Sequence, residues 1–358
     1  MKNTQIIALY LPQFHRIPEN DAWWGEGFTE WTNVKKAKPL YEGHIQPRIP
    51  LNNDYYDLSD CVTMIRQMRL AKSYGIDGFC FYHYWFNGKK LLEKPVENIL
   101  VEKSIPLPFM FCWANEPWTR TWDGSRGAKE ILIDQYYGGK EEWRSHFDYL
   151  KTFFERDEYI KIDNKPVICI YKSKDIANRE EMLSYWSSLA RRIGFNGIYI
   201  INTLRFGGVE ELPLYGDGVF DFEPFYTMSN LGGKLDEIYI IKESSFNPQK
   251  QYRVYDYRKL CRVMTGRLTL KSVNHFLGFF CGWDNSPRVG QNAEWMFSNN
   301  SPENFEEFFS IQYRKSNELH NDFLFINAWN EWAEGTFLEP DEQNGYEYLK
   351  AIKKVKEC

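Results

Sequence analysis

Eight short apolar runs, rich in β-branched and aromatic residues and separated by stretches of helical periodicity, constrain the fold of this chain more than any other feature. They are 6–12 (IIALYLP), 76–85 (IDGFCFYHYW), 108–116 (PFMFCWANE), 166–172 (PVICIYK), 197–203 (GIYIINT), 219–225 (VFDFEPF), 276–285 (FLGFFCGWDN) and 323–332 (FLFINAWNEW). Several are apolar at consecutive positions, as strands buried on both faces are. The intervening pattern predicts helices over 59–73, 141–154, 180–193, 302–318 and 346–356. In the first, Ser59 can cap while Val62, Ile65 and Met68 share a face; in the fourth, Ser301 caps and Pro302 takes the first helical position. Strands alternating with helices eight times over predict an α/β chain, a single (β/α)8 TIM barrel across residues 1–358 with long loops over its C-terminal face. An open doubly wound sheet is the competitor, but its G-x-G-x-x-G fingerprint is absent after the first run.

A chain of 358 residues can bury a full core without staples. Lys plus Arg number 44 against 49 Asp plus Glu, a formal charge of −5, and no stretch concentrates basic residues, which argues against a nucleic-acid partner. The mean hydropathy is −0.55 and no apolar run approaches the roughly 18 residues of a membrane span. The first apolar run is broken by Pro12 before any cleavage site, so no secretory signal is expected. The cysteines at 61, 80, 112, 169, 261, 281 and 358 are odd in number and mostly sit inside apolar runs. They read as buried thiols in a reducing compartment and, with the missing signal, predict a cytoplasmic protein. The six His show no ligand spacing, so no metal site is expected.

Aromatic residues make up 17% of the chain, and many stand where an apolar run turns polar. The first run carries Tyr10, and the second ends in His83, Tyr84 and Trp85. The third ends in Trp113, Asn115 and Glu116, and the fourth in Tyr171. The sixth holds Glu223, the seventh Trp283, and the eighth Asn330, Glu331 and Trp332. Trp118 and Trp122 follow the third run in WTRTWDG. Barrel enzymes assemble their chemistry at the C-terminal ends of the strands, and indoles beside carboxylates and amides suit sugar rings. Three long stretches, 13–56, 117–139 and 227–256, are candidates to roof that face. For any single residue a solvent-facing strand end is the plainer account, and an ion pair of Arg120 with Asp123 or Glu116 is the plainer account of that loop.

The strongest constellation is INAWNEWAEGTFLEPD, where Glu331 and Glu334 stand three apart between Trp residues. On one helical turn their Cβ atoms come within about 5–6 Å. Two carboxyls that close divide labour, one protonated and one ionised, because burial and like charge separate their pKa values. Retaining glycoside cleavage uses such a pair with about 5–5.5 Å between carboxyls.

The segments ALYLPQFH, DAWWGEGFTEWTNV, IDGFCFYHYWFNGKKLLEKP, FCWANEPWTRTWDG and INAWNEWAEGTFLEPD, in that order, resemble the WbsX-type proteins of polysaccharide gene clusters, which are grouped with glycoside hydrolase family 99. The likeness runs from about residue 5 to 349. It implies a (β/α)8 barrel without metal or organic cofactor and, from the better-understood members, a retaining endo-acting α-mannosidase. In those, one carboxylate of the pair deprotonates the sugar's 2-hydroxyl, which attacks its own anomeric carbon; the other protonates the leaving oxygen and later activates water. Carried over by motif, Glu331 is the base and Glu334 the acid/base. The extended first loop and WANEPWTRTWDG differ from the endomannosidases, and they would shape the sugar subsites. The resemblance thus predicts an enzyme acting on an oligosaccharide or polysaccharide. The alternatives are a transferase or transglycosylase in polysaccharide biosynthesis, although no DxD motif follows a strand, and a catalytically silent sugar-binding protein.

Overall fold

A computed structural model describes residues 3–120, 130–205, 215–270 and 273–358. All eight apolar runs form parallel strands: β1 Gln5–Tyr10, β2 Gly78–Phe86, β3 Phe109–Trp113, β4 Lys165–Ile170, β5 Tyr199–Leu204, β6 Gly218–Asp221, β7 Asn274–Phe280 and β8 Phe323–Asn327. Each pairs with the next, and β1 pairs with both β2 (Ile7 opposite Gly78) and β8 (Ile7 opposite Phe325), which closes the sheet into a barrel. Every residue of β2 is buried, as a strand covered by helices outside and side chains inside must be.

Rings that meet across an intervening strand mark the interior. Phe220 of β6 stacks on Phe325 of β8 with centroids 4.2 Å apart. Gly278 of β7 lies between those strands, opposite Phe325, and a Cβ there would stand 1.9 Å from the Asp221 carbonyl oxygen, so no larger residue fits.

Eleven α-helices occur among the described residues: α1 Pro18–Trp24, α2 Glu30–Lys36, α3 Cys61–Ser73, α4 Lys94–Val101, α5 Lys140–Phe154, α6 Arg179–Arg192, α7 Phe225–Ser229, α8 Tyr257–Gly266, α9 Ser286–Val289, α10 Pro302–Glu318 and α11 Glu347–Glu357. α10 is capped by Ser301 with Pro302 first, as its sequence dictates. α3 differs from expectation. Its cap is Asp60, whose side chain accepts the Val62 N–H at 2.9 Å, one residue later than Ser59. That shift leaves Val62 71% exposed while Met64, Gln67, Met68 and Ala71 form the buried face.

The long stretches are structured. The first holds α1 and α2; the second holds Trp118–Thr119 paired with Ile131–Ile133. The third forms an antiparallel hairpin, Tyr239–Glu243 with Gln251–Asp256, extended by Met296–Ser298. A small second core of Leu40, Tyr41, Tyr252, Val254, Ala293 and Met296 binds that sheet to the first loop. Five of the seven cysteines are buried, and none is disulfide-bonded; Cys61 is half-buried and Cys358 exposed.

Candidate active site

Past β8 the chain bends through a compact loop, 328–339. Asn330–Glu331 pairs antiparallel with Thr336–Phe337, and a 3-10 turn, Trp332–Glu334, forms the tip. Glu331 precedes the turn and Glu334 ends it. Gly335 then adopts φ +63°, where a Cβ would stand 2.8 Å from the Asp284 Cβ. The vacated space lets the Asp284 N–H donate to the Glu334 carbonyl at 2.7 Å, which ties the turn to the segment following β7.

Both carboxylates converge on Arg288 of α9. The guanidinium donates from Nη2 to Glu331 Oε2 at 3.1 Å and from Nη1 to Glu334. It also donates to Oε1 of Glu30, the first residue of α2, from Nη2 at 2.7 Å and from Nε at 3.0 Å. The Glu30 side chain is fully enclosed, that of Glu331 is 7% exposed and that of Glu334 is 21% exposed, so Glu334 is the more open of the pair.

Three carboxyls face one guanidinium here, and a buried excess of negative charge is costly. Burial first, then the Glu334 charge, lifts Glu331 well above the usual carboxylate range. Burial also raises Glu334, while Arg288 and Arg205 pull it back. The two therefore titrate as a pair in two steps. Burial opposes the charge on Arg288, but the three surrounding acids overcome it and keep the guanidinium cationic.

Aromatic rings face this cluster from the barrel interior. Tyr82 meets Tyr171 across β3 with centroids 6.5 Å apart, and Tyr171 meets Phe222 across β5 at 5.3 Å. Burial first and the Glu331 charge next push the phenols of Tyr82 and Tyr84 up, so both stay protonated hydrogen-bond donors. The Arg205 guanidinium lies 5.1 Å over the Tyr171 ring. Glu116 pairs with Lys172 at 2.8 Å, and its charge reaches Tyr84, Tyr171 and Glu334. The structure thus brings Glu116, Tyr171, Glu331 and Glu334 to one mouth.

Strand alternation sends other candidates behind that wall. His83 turns outward, its Nε2 lying 2.8 Å from Nε2 of His146 on α5, and burial lowers its pKa to about 3. Trp85 stacks on the same His146 at 4.5 Å and donates to Glu142. Trp113 packs against His146 and Trp186, between α5 and α6. Tyr10 donates its hydroxyl to Gln67 of α3. These four do not line the mouth, because each side chain points outward to the helices instead of into the barrel.

The remaining candidates are structural in their contacts. Asn115 stitches β3 to β4, its Oδ1 accepting the Lys172 N–H at 2.7 Å and its Nδ2 donating to the Lys172 carbonyl at 2.8 Å. Asn330 exchanges two hydrogen bonds with the Leu11 backbone, at 2.7 and 2.9 Å. Glu223 is buried in a network where it accepts from Thr227 at 2.7 Å and Arg267 at 2.9 Å. Trp118 packs on Trp23, Tyr84 and Phe86, and Trp283 sits edge-on to Phe225. Trp332, expected to flank a ligand, is 1% exposed and stacks on Phe337 at 3.7 Å, so it supports the turn from within. Arg120 pairs with Glu130 at 2.5 Å instead of Glu116. Trp122 and Asp123 lie outside the described residues.

Glu30, Arg288 and Tyr82 join this cluster without being among the sequence candidates. Tyr82 was legible, because Gly78, Cys80, Tyr82 and Tyr84 share one face of β2 by period 2. Nothing in the linear sequence joins positions 30 and 288, whose pairing depends on the loops. Among the described residues, no group of three His, Cys, Asp or Glu side chains could hold a metal ion, and no helix is long and apolar enough to cross a membrane.

Known proteins resemble this chain at two levels, fold and sequence. The endo-alpha-mannosidase of family GH99 from Bacteroides thetaiotaomicron superposes with a TM-score of 0.57 at 14% identity, covering 100% of this chain and 97% of its own. A glycoside hydrolase-like protein superposes with a TM-score of 0.60 at 13% identity, covering 99% and 94%. At such identities the likeness is one of fold. By sequence, the WxcX protein of Xanthomonas campestris pv. campestris is 37% identical over 354 residues, 98% of this chain and 49% of the relative. The chain therefore spans about half the length of the curated relatives it matches. Residues 6–352 match the family described as "Glycosyltransferase WbsX", and the chain belongs to that family.

Proposed function

We propose that the protein is a carbohydrate-active enzyme that cleaves an internal glycosidic linkage with retention, in the manner of an α-mannosidase, on a bacterial polysaccharide or its precursor. The observation that supports this most is that Glu331 and Glu334 are held by one guanidinium at the mouth of the barrel, with their pKa values raised. Two coupled carboxyls that share one proton can act as base and acid at once; the free protein favours that proton on the more deeply buried Glu331, and the scheme requires it on Glu334 when the sugar is engaged.

Glu331 takes the proton of the sugar 2-hydroxyl. The freed O2 attacks the anomeric carbon as the glycosidic C–O bond breaks, and Glu334 protonates the departing oxygen. Water, deprotonated by Glu334, then opens the anhydro sugar at the anomeric carbon, and Glu331 returns its proton to O2. Glu334 suits the second role because its side chain is the more open of the two to an incoming water. Tyr82 and Tyr84 offer phenol donors beside the pair, and Tyr171 and Glu116 bound the sugar.

The test is a screen of defined oligosaccharides, mannosides first, read by mass spectrometry. Glu331→Gln and Glu334→Gln should each lower turnover of any confirmed substrate by about 100-fold or more. Retention of activity in both would end this reading.

The family's description supports a second reading, transfer to a sugar acceptor by the same pair, since water and acceptor differ only in what enters the second step. Product analysis with and without added acceptor separates the two, and a requirement for a nucleotide sugar would favour a conventional transferase.

A further inference from the structure

Loop 328–339 carries both candidate reacting groups on two-residue strands and a single 3-10 turn, so its own backbone pairing cannot fix its shape. A buried carboxylate that plays no part in the scheme above bonds both the base and the tip of this loop. Glu339 is 8% exposed and accepts four hydrogen bonds. Its Oε1 takes the indole N–H of Trp329 at 3.0 Å and the Gln67 amide at 2.8 Å. Its Oε2 takes the indole N–H of Trp332 at 2.7 Å and the Tyr56 hydroxyl at 2.8 Å.

These donors come from three places: the base of the loop (Trp329), its tip (Trp332), and the scaffold behind it (Tyr56 and Gln67). The Glu339 N–H also donates to the Trp329 carbonyl at 3.2 Å, closing the base through the backbone. A carboxylate is the one side chain that accepts at four sites and donates at none. Trp332 stands directly after Glu331 and two residues before Glu334, so the orientation of its indole sets the tip that carries both.

We propose that Glu339 is a positioning residue for the Glu331–Glu334 pair, holding the tip of the loop against the barrel through Trp332. This rests on reading that pair as the reacting groups. A cavity of about 430 Å³, lined by Tyr56, Gln67, Trp332 and Glu339 among others, adjoins this network. Burial raises the Glu339 pKa to about 7, while the bonds from Trp332, Tyr56 and Trp329 oppose the shift.

Glu339→Gln keeps the shape but turns an amide NH2 toward two of the four donors. On a substrate the native protein turns over, it should lower kcat by about tenfold or more with KM changed by less than about threefold, a loss confined to the transition state. Fully folded protein that keeps its native kcat, or loses rate only in proportion to unfolding, would overturn the proposal. An independent readout needs no substrate. Carbon-13 carboxyl titrations of Glu331 and Glu334, assigned with the two Gln variants, should shift in Glu339→Gln, together with the Trp332 indole N–H resonance. Unchanged titrations would overturn the proposal even if the native protein turns over nothing, an outcome that by itself counts only against the glycosidase reading. If Glu339→Gln fails to fold, Tyr56→Phe removes one donor alone and should give the same shifts at smaller size; native titrations in that variant would likewise refute the proposal.

Discussion

The backbone N–H of Asp284 donates to the carbonyl of Glu334 at 2.7 Å, so the turn bearing one candidate acid is fastened to the segment after the neighbouring strand. The contact exists because Gly335 has no side chain and takes φ +63°. Gly335→Ala would push a methyl group to 2.8 Å from the Asp284 Cβ in a left-handed conformation. It should cost about 1–3 kcal/mol of stability and lower activity by more than the unfolded fraction explains. Urea denaturation and turnover of the same sample check this; an Ala variant with native values on both would show that the fastening is dispensable.

Arg288 compensates three carboxyls, so its removal should be felt most where they are ionised. Arg288→Met should destabilise the protein by about 3–5 kcal/mol at pH 8. The loss should shrink toward pH 5, because carboxyls left without their cation take up protons. Denaturation midpoints at the two pH values test the sign, and a larger loss at pH 5 would contradict the charge account.

Glu331 carries a cost in stability, because burial disfavours its ionised form. Its pKa is raised by folding. Its favourable contribution is therefore full below the ordinary Glu value of about 4.3 and lost as pH climbs through the raised value. Glu331→Gln, expected to lower turnover by about 100-fold or more, should melt at a higher temperature than the native protein at pH 8, with a smaller gain at pH 5. Melting curves at both pH values suffice; a variant less stable at pH 8 would place the stabilising role of the carboxylate above its desolvation cost.

The pair His83 and His146 predicts an acid limb. Burial lowers His83 to about 3 and His146 well below the ordinary value. The unfolded chain gains protons at both as pH falls through about 6.5 and the folded chain does not. Stability should therefore decline below that pH by up to about 1.4 kcal/mol per pH unit for each histidine. Urea midpoints between pH 7.5 and 4.5 measure the slope, and the double replacement His83→Phe with His146→Phe should flatten it. An equal slope in the double variant would assign the acid limb to other groups.

The barrel was legible because each strand is a continuous apolar run, a signal that survives without knowledge of partners. The candidate site was legible only in part. Glu331 and Glu334 announced themselves by local spacing, and Tyr171 and Glu116 by strand ends. His83, Trp85 and Trp113 satisfy the same strand-end rule, which ignores that alternate residues face opposite ways; counting from Gly78 puts Tyr82 and Tyr84 inside and His83 and Trp85 outside. Glu30 and Arg288 are separated by most of the chain, so only the packing of α2 against α9 reveals them.

The charge cluster draws Glu30 from the first strand's loop, Arg288 from the seventh's and Glu331 with Glu334 from the eighth's. These regions are neighbours because β8 pairs with both β7 and β1. The cluster therefore requires both ends of the barrel sequence at once: two fragments divided anywhere between Glu30 and Arg288 would have to reassociate before the guanidinium met all three carboxyls.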